Sequence, residues 1–207
     1  MKEVTAPHTG LLRLGLAVPQ SLIFWERATS DLKTSDLARE AFEAHWFGDS
    51  TQARTRYLIG QLQRRFPFVV RQALRSELAN LQKELICHWH LQLTDPLYRA
   101  YTGEFILSCW SGTTTSIDLE SSVDWVREQP IAQNWQPATI RRLASGLLSA
   151  ATDAGLCKGN SRTEKELRIP TVTEADMKYL ALLLDQAECR DRLPYYLSVG
   201  RSEEQVA

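Results

Sequence analysis

Apolar residues recur at intervals of three and four along most of this 207-residue chain, which is the spacing of a buried helix face. The clearest stripe runs through Leu58, Ile59, Leu62 and Phe66. Another follows Pro137, a residue type that suits the first turn of a helix. Strand-like alternation is short by comparison, so the sequence predicts an all-α fold.

Local signals predict where several of these helices begin and end. Asp95 stands before Pro96, which pairs an N-cap residue with a proline at the first helical position. Asp118 and Thr173 are further N-cap candidates, and Gly155 suits a left-handed helix C-cap. These signals divide the helical stretches into separate elements.

The region around the first stripe is less clearly divided. Asp49 or Ser50 is the predicted cap of the helix that carries the stripe, and Pro67 is its predicted end. Beyond the proline, a nearly heptad series of apolar residues from Val70 to Leu85 predicts one long helix.

A Gly/Ser/Thr-rich stretch at residues 111–116 predicts a boundary between two small helical subdomains. The N-terminal subdomain, residues 1–112, contains the arginine-rich helix described below. The C-terminal subdomain, residues 113–200, has the order short helix, long helix, strand, loop and strand, with a short strand at 167–170. This order resembles a winged helix with a short β wing. Residues 201–207 are expected to form a disordered tail.

Residues 51–75 contain six arginines and no Asp or Glu, although the chain carries 24 basic and 25 acidic residues. A local cationic field on a near-neutral protein is typical of a phosphate-bearing partner. Helical spacing places Arg64 opposite the apolar stripe and Arg54, Arg56 and Arg65 on its flanks, so these side chains are predicted to face outward. The alternative is an ordinary solvated face whose acidic neighbours come from elsewhere in the fold.

A second basic cluster lies in the winged-helix-like region. In winged helices, the helix before the wing enters the major groove with its N-terminal residues nearest the bases. The predicted contact residues at the start of this helix and on or beside the wing are Thr139, Arg141, Arg142, Lys158, Arg162, Lys165 and Arg168. Glu164 and Glu166 dilute the charge of the wing, and winged helices also bind proteins, so a protein contact stays open.

The sequence gives little indication of metal binding or catalysis. The run Cys87-His88-Trp89-His90 suggests a metal site, but residues two apart on a helix point about 200° away from each other, so no metal is expected. No hydrolase or metalloprotease motif and no glycine-rich phosphate loop occurs. We therefore expect no enzymatic activity and no cofactor.

Hydropathy and cysteine spacing indicate where in the cell the protein is expected. No apolar run approaches the ~20 residues of a transmembrane helix, and the N-terminal residues make a poor signal peptide. Four widely spaced cysteines without a CxxC motif are expected to be reduced and mostly buried. A cytoplasmic protein is the expectation.

Several segments together resemble a known family: SDLAREAF, FGDSTQARTRYLIGQLQRRFP, TDPLYRAYTGEFI, WQPATIRRLASGLLSAATDAGLCKG and ELRIP. They are similar to BrxA, the small component of BREX (bacteriophage exclusion) phage-defence systems, over roughly residues 30 to 197. The resemblance implies a mostly helical DNA-binding protein that acts beside a methyltransferase, an ATPase and other BREX proteins, with a likeness to the antitermination factor NusB. It supplies no catalytic residues, and Arg54, Arg56, Arg64 and Arg65 fall in the family-like segment.

The combined hypothesis is a non-enzymatic accessory protein that binds double-stranded DNA mainly through phosphate contacts. One alternative is an RNA-binding factor of the antitermination type, because arginine-rich helices serve both nucleic acids. Another is a scaffold subunit whose arginines dock an acidic protein surface.

Overall fold

The fold is mainly helical, as predicted, and it carries a small antiparallel sheet. The structure, a computed structural model, describes residues 2–6, 8, 10–12, 14–77, 80–112, 114–159, 161 and 164–201. The predicted disordered tail and Arg162 lie outside these residues, except for Arg201.

Helices account for most of the described chain. They are α1 Val18–Arg27, α2 Thr34–Glu43, α3 Gln52–Arg65, α4 Phe68–Glu77, α5 Lys83–Thr94, α6 Pro96–Ala100, α7 Ile106–Ser111, α8 Leu119–Glu128, α9 Pro137–Asp153, α10 Glu174–Gln186 and α11 Leu193–Leu197. A π-helical turn, Tyr101–Phe105, joins α6 to α7, and short 3-10 turns lie at Gly10–Leu12 and Pro130–Asn134. None of the described helices is both long enough and apolar enough to cross a lipid bilayer.

The strands are β1 Ser116–Asp118, β2 Cys157–Lys158 and β3 Glu164–Leu167, in the antiparallel order β1-β3-β2. The prediction of a strand at 167–170 is therefore wrong in position. Residues expected to form a polar loop pair on both sides instead, with Glu166 opposite Ser116 in β1 and Lys158 in β2. Pairing with β1 and β2 satisfies the backbone hydrogen-bonding groups of β3. The strand therefore forms without the alternation of apolar residues on which the prediction relied.

Side-chain caps confirm the predicted helix starts. Asp95 accepts a hydrogen bond from the backbone of Tyr98 at 3.0 Å, and Asp118 and Thr173 each form a reciprocal capping box. The cap of α3 is Thr51, however, and not Asp49 or Ser50 as predicted. Gly155 adopts a φ of 79°, the left-handed geometry that the sequence predicted at the end of α9.

Helix α5 lies at the centre of the fold, and every residue from Leu85 to Leu93 is buried. It packs against α1, α3, α6, α9 and α10. One hydrophobic cluster includes Ile86, Cys87 and Leu91 of α5 and extends from the N-terminal segment to β2. A second cluster joins Leu85, Trp89 and Leu93 of α5 to α10 and α11. A helix between two clusters is covered on all sides, which explains its nearly continuous burial. Its buried polar side chains, His88, His90 and Gln92, form hydrogen bonds inside the fold.

The first cluster contains residues from both sides of the predicted subdomain boundary, for example Ile106 and Val123. Division of the chain at residue 112 stays a prediction. All four cysteines are unpaired, and Cys87, Cys157 and Cys189 are buried, as the sequence predicted.

The predicted long helix from Val70 to Leu85 is wrong, because the chain breaks between α4 and α5. At the break, the backbone N–H of Gln82 donates to the Asp176 carboxylate at 2.9 Å, and the Gln82 side chain donates to the same carboxylate. The acceptor lies 94 residues away in sequence. A local apolar pattern therefore carries no signal of this interruption.

The junction of α5 and α6 anchors the N-terminal segment. Pro96 lacks the N–H that would reach the carbonyl of Gln92, and that oxygen accepts from Arg99 Nη1 at 2.7 Å. The following carbonyl, of Leu93, accepts from the backbone N–H of Val4 at 2.8 Å. Arg99 Nη2 in turn donates to the carbonyl of Val4 at 3.1 Å. The N-terminal segment thus completes the end of α5.

The π-helical turn packs closely against α11 through a glycine. A Cβ atom added at Gly103 would lie 2.9 Å from Cβ of Pro194 and 3.1 Å from its Cα and carbonyl oxygen. Backbone atoms cannot move aside as the end of a flexible side chain can. Glycine is therefore required here by contact and not by backbone conformation.

We predict that Gly103→Ala lowers the free energy of unfolding by about 1–3 kcal/mol, because the added methyl group overpacks a buried contact. Gly60→Ala is the matched control, since a Cβ in that helix would lie 3.7 Å from Thr34 Cγ2, an ordinary contact. This control should gain about 0.5–1 kcal/mol from its lower helix-forming cost. Urea unfolding measures both, and equal stabilisation of the two variants would contradict the prediction.

Candidate nucleic-acid interface

The arginine-rich segment divides into an inward and an outward group. Arg65 and Arg71 are buried, with exposed fractions of 6% and 1%, and Arg75 is half-buried. Arg54, Arg56 and Arg64 are exposed. Only the second group can meet a partner from solvent.

Arg65 binds the N-terminal segment. Its Nη1 donates to the carbonyls of Gly15 at 2.8 Å and Leu16 at 3.1 Å, and its Nη2 donates to that of Leu14 at 2.9 Å. Burial lowers the pKa of this guanidinium. The prediction that Arg65 faces outward is wrong, because an extended segment covers that flank of α3 and needs donors for its carbonyls.

Arg71 and Arg75 bind carbonyls at the end of α1, in the chain after it and at the end of α3. Arg71 donates to the carbonyls of Ala28, Phe66 and Ser30 at 3.1–3.2 Å, and burial lowers the pKa of its guanidinium. Arg75 Nε donates to the carbonyl of Trp25 at 2.8 Å. Half of the arginines in the acid-free segment therefore bind backbone carbonyls inside the fold, at helix ends and in irregular segments.

The outward arginines of α3 lie at different ends of the helix. The Arg54 guanidinium lies 5.8 Å from the ring centroid of Tyr57, and Arg56 borders a shallow pocket beside the same ring. Arg64, in the last turn, borders a separate cleft. The structure does not bring Arg54 and Arg56 to that cleft.

The start of α9 presents the predicted contact residues. Arg141 and Arg142 are exposed, and Thr139 is half-buried. Arg141 forms an ion pair of 2.8 Å with Glu120 at the start of α8. Within the described part of the chain, Arg142 has no ion-pair partner.

The wing residues are partly neutralised. Lys158 pairs with Glu166 across the strands at 3.0 Å, and Lys165 Nζ donates to the carbonyl of Gly159 at 2.7 Å. Arg168 is exposed and has no carboxylate partner among the described residues. Of the predicted wing cations that the structure describes, Arg168 is the most available.

Two clefts bring the separate basic segments together. The first, the α3 cleft, has a volume of about 480 Å³ and is bordered by Arg64, Lys2 and the N-terminal segment. The second, the α9 cleft, has a volume of about 730 Å³ and is bordered by Arg141 and Arg142. Leu11 lines both.

The 3-10 turn Gly10–Leu12 consequently lies between the two clefts. No pattern in the sequence singled out this turn, because three residues give no periodicity. Its position depends on Arg65, whose acceptors lie about 50 residues earlier in the chain.

His88 and His90 do not form a metal site. His88 Nδ1 lies 2.9 Å from the Tyr98 hydroxyl and its Nε2 lies 2.9 Å from Ser198 Oγ. His90 Nδ1 donates to the carbonyl of Arg65 at 2.7 Å, and burial lowers the pKa of both histidines to about 3. Every ring nitrogen has a hydrogen-bond partner, and the described residues contain no cluster of three or more candidate metal ligands.

The fold and the site define a mainly helical protein with a small antiparallel sheet, in which arginines of two helices border adjacent clefts. The BrxA family model matches residues 9–182, so the chain belongs to the BrxA family. Membership confirms the resemblance seen in the sequence and makes the protein a component of a BREX phage-defence system. No curated protein matches the chain.

We predict that Arg65→Met lowers the free energy of unfolding by about 3 kcal/mol, because it leaves three backbone carbonyls without a charged donor. Arg64→Met removes the same charge from the neighbouring position and should change stability by less than about 0.5 kcal/mol. Denaturant unfolding of both variants provides the measurement. Equal stabilities would show that the Arg65 contacts contribute nothing net.

The buried histidines predict loss of stability in acid. Both stay neutral in the folded protein down to about pH 3, whereas the unfolded chain protonates them near their ordinary pKa of about 6.5. As the pH falls from about 6.5 towards 3, each histidine therefore removes about 1.4 kcal/mol of stability per pH unit.

His90→Asn isolates one of these contributions, because the amide Nδ2 can replace the ring Nδ1–H as a donor but does not titrate. Between pH 6 and 4, this variant should lose about 1.4 kcal/mol less per pH unit than the parent protein. Urea unfolding at several pH values gives both curves. Parallel curves would contradict the assignment of a neutral buried His90.

Proposed function

We propose that the protein is a non-enzymatic BREX component that binds duplex DNA mainly through phosphate contacts. The observation that carries the proposal is the adjacency of the two basic clefts. Arg64 from α3 and Arg141 and Arg142 from α9 flank the same N-terminal turn, although they are about 80 residues apart in sequence. Cations from distant segments on neighbouring clefts suit a continuous polyanion better than a small ligand.

The order of elements supports α9 as the helix that approaches the duplex. Strand β1 precedes α8 and α9, and β2 and β3 follow them, with β1 paired to β3. This order supports the winged-helix interpretation, in which the helix before the wing enters the major groove. Thr139, Arg141 and Arg142 then lie nearest the DNA. A likeness to NusB stays a prediction.

The neutralising carboxylates do not argue against binding. Glu120 and Glu166 form exposed ion pairs with Arg141 and Lys158, and such pairs contribute only about 0–1 kcal/mol. Because the ion pairs are this weak, a phosphate can displace the carboxylate, particularly since arginine binds phosphate with two parallel donors. Arg142 and Arg168 need no such exchange, so we assign them the larger share of the phosphate contacts.

Arg65 is left out of the proposed surface. Its donors already bind three internal carbonyls, and no part of a nucleic acid reaches them without displacing the N-terminal segment. Phosphate contacts carry affinity but little sequence information, so we expect weak sequence preference. The absence of enzymatic activity remains part of the proposal, which rests on the lack of a catalytic motif in the sequence.

We predict that Arg142→Glu weakens duplex DNA binding about tenfold or more at moderate salt, because it replaces a phosphate contact with a repulsive charge. The magnitude of the slope of log affinity against log salt should fall by about 0.9 per lost contact. Arg190→Glu is the matched control, since it makes the same change of charge at an exposed residue outside both clefts.

Fluorescence anisotropy across a salt series, with two duplexes of unrelated sequence, makes the measurement. Both duplexes should be affected alike. Equal losses in the R142E and R190E variants would show that only net charge matters, and an absence of binding at low salt would overturn the proposal. Competition with structured and single-stranded RNA separates the RNA alternative, because an RNA-binding factor would prefer RNA at every salt concentration.

A further inference from the structure

The turn Gly10–Leu12 borders both basic clefts and presents an apolar side chain to the α9 cleft. Leu11 is buried, with 4% of its surface exposed, whereas Leu12 is 39% exposed and lines the α9 cleft beside Arg142. An isolated exposed leucine is ordinary on a protein surface. Leu12, however, belongs to a turn that lies between outward arginines of two separate helices, so it is close to the path of any polyanion that spans them.

Contacts on both sides hold this turn in place. The backbone N–H of Gly10 donates to His8 Nδ1 at 3.1 Å, and His8 Nε2 donates to the carbonyl of Thr94 at 2.9 Å. On the other side, Leu11 packs on α9 at Gly146, where an added Cβ would lie at an ordinary contact distance of 3.6 Å from Leu11 Cδ2. The turn is therefore a fixed part of the surface.

Charge around the turn identifies the kind of partner. The outward charged residues that border the two clefts are Lys2, Arg64, Arg141 and Arg142. Asp95 is the acidic residue among the described lining residues, and only 2% of it is exposed. An apolar projection with cations on both sides is complementary to a molecule that alternates phosphates with apolar sugar and base surfaces.

We propose that Leu12 is a contact residue for duplex DNA, against which sugar or base edges pack while the flanking arginines hold the phosphates. This inference rests on the proposed function and deepens it by adding a contact that is not electrostatic. Such a contact contributes to affinity through burial of apolar surface. It does not release counterions, so it leaves the salt dependence unchanged.

The test compares Leu12→Ala with Leu32→Ala in the full-length chain. Leu32 is the matched control, because it is exposed to nearly the same extent, 38%, and lines neither cleft. Affinity for a short DNA duplex is measured by anisotropy at several salt concentrations. L12A should weaken binding about fivefold at every salt concentration, with an unchanged salt slope, whereas L32A should bind as the parent protein does.

The outcomes separate this inference from the proposed function. If the parent protein binds DNA and the two leucine variants bind equally well, Leu12 is not a contact residue and the inference is overturned. A loss of affinity accompanied by a reduced salt slope overturns it too, because the effect is then electrostatic. If the parent protein does not bind duplex DNA at low salt, the proposed function is overturned and this inference with it.

Discussion

A buried guanidinium, that of Arg65, holds the last part of the N-terminal segment against the fold. Residues 14–16 pair with neither a helix nor a strand, and their three carbonyls accept from Arg65. Buried carbonyls without donors would cost about 1–3 kcal/mol each, so loss of this residue would destabilise the segment. The turn Gly10–Leu12 lies just before residues 14–16 in the chain, and its residues line both basic clefts. The geometry of the candidate interface thus depends on a residue that does not belong to it.

This dependence changes the interpretation of the acid-free arginine segment. Arg65, Arg71 and Arg75 bind backbone carbonyls inside the fold, where a neighbouring carboxylate would compete for the donors and would itself need burial. The absence of acidic residues from 51–75 is therefore partly a requirement of the interior. The interpretation as a phosphate-binding surface now applies only to the exposed arginines, of which Arg64 borders the α3 cleft.

What the sequence could predict follows from the range of each interaction. Caps such as Asp95 and Thr173 act within three residues, and the structure confirms them. The stripe on α3 likewise places its buried face correctly, since that face is set by helix geometry. The break before α5 and the inward direction of Arg65 depend on partners about 94 and 50 residues away, so no local pattern indicates them. The sequence likewise did not predict that the turn Gly10–Leu12 borders the candidate site, because the residues around the turn are distant in sequence.

The last turn of α3 is fixed from two directions. The carbonyl of Arg65 accepts from His90, whose other ring nitrogen lies 2.7 Å from the Tyr179 hydroxyl on α10, while the Arg65 guanidinium binds the N-terminal segment. Arg64 is the adjacent residue, so its backbone is held rigidly although its side chain is free to seek a phosphate. Such pre-organisation limits the ordering cost at this position to that of one side chain. His90, part of the Cys87-His88-Trp89-His90 run in which no metal was expected, thus fixes the backbone next to the surface that we propose binds DNA.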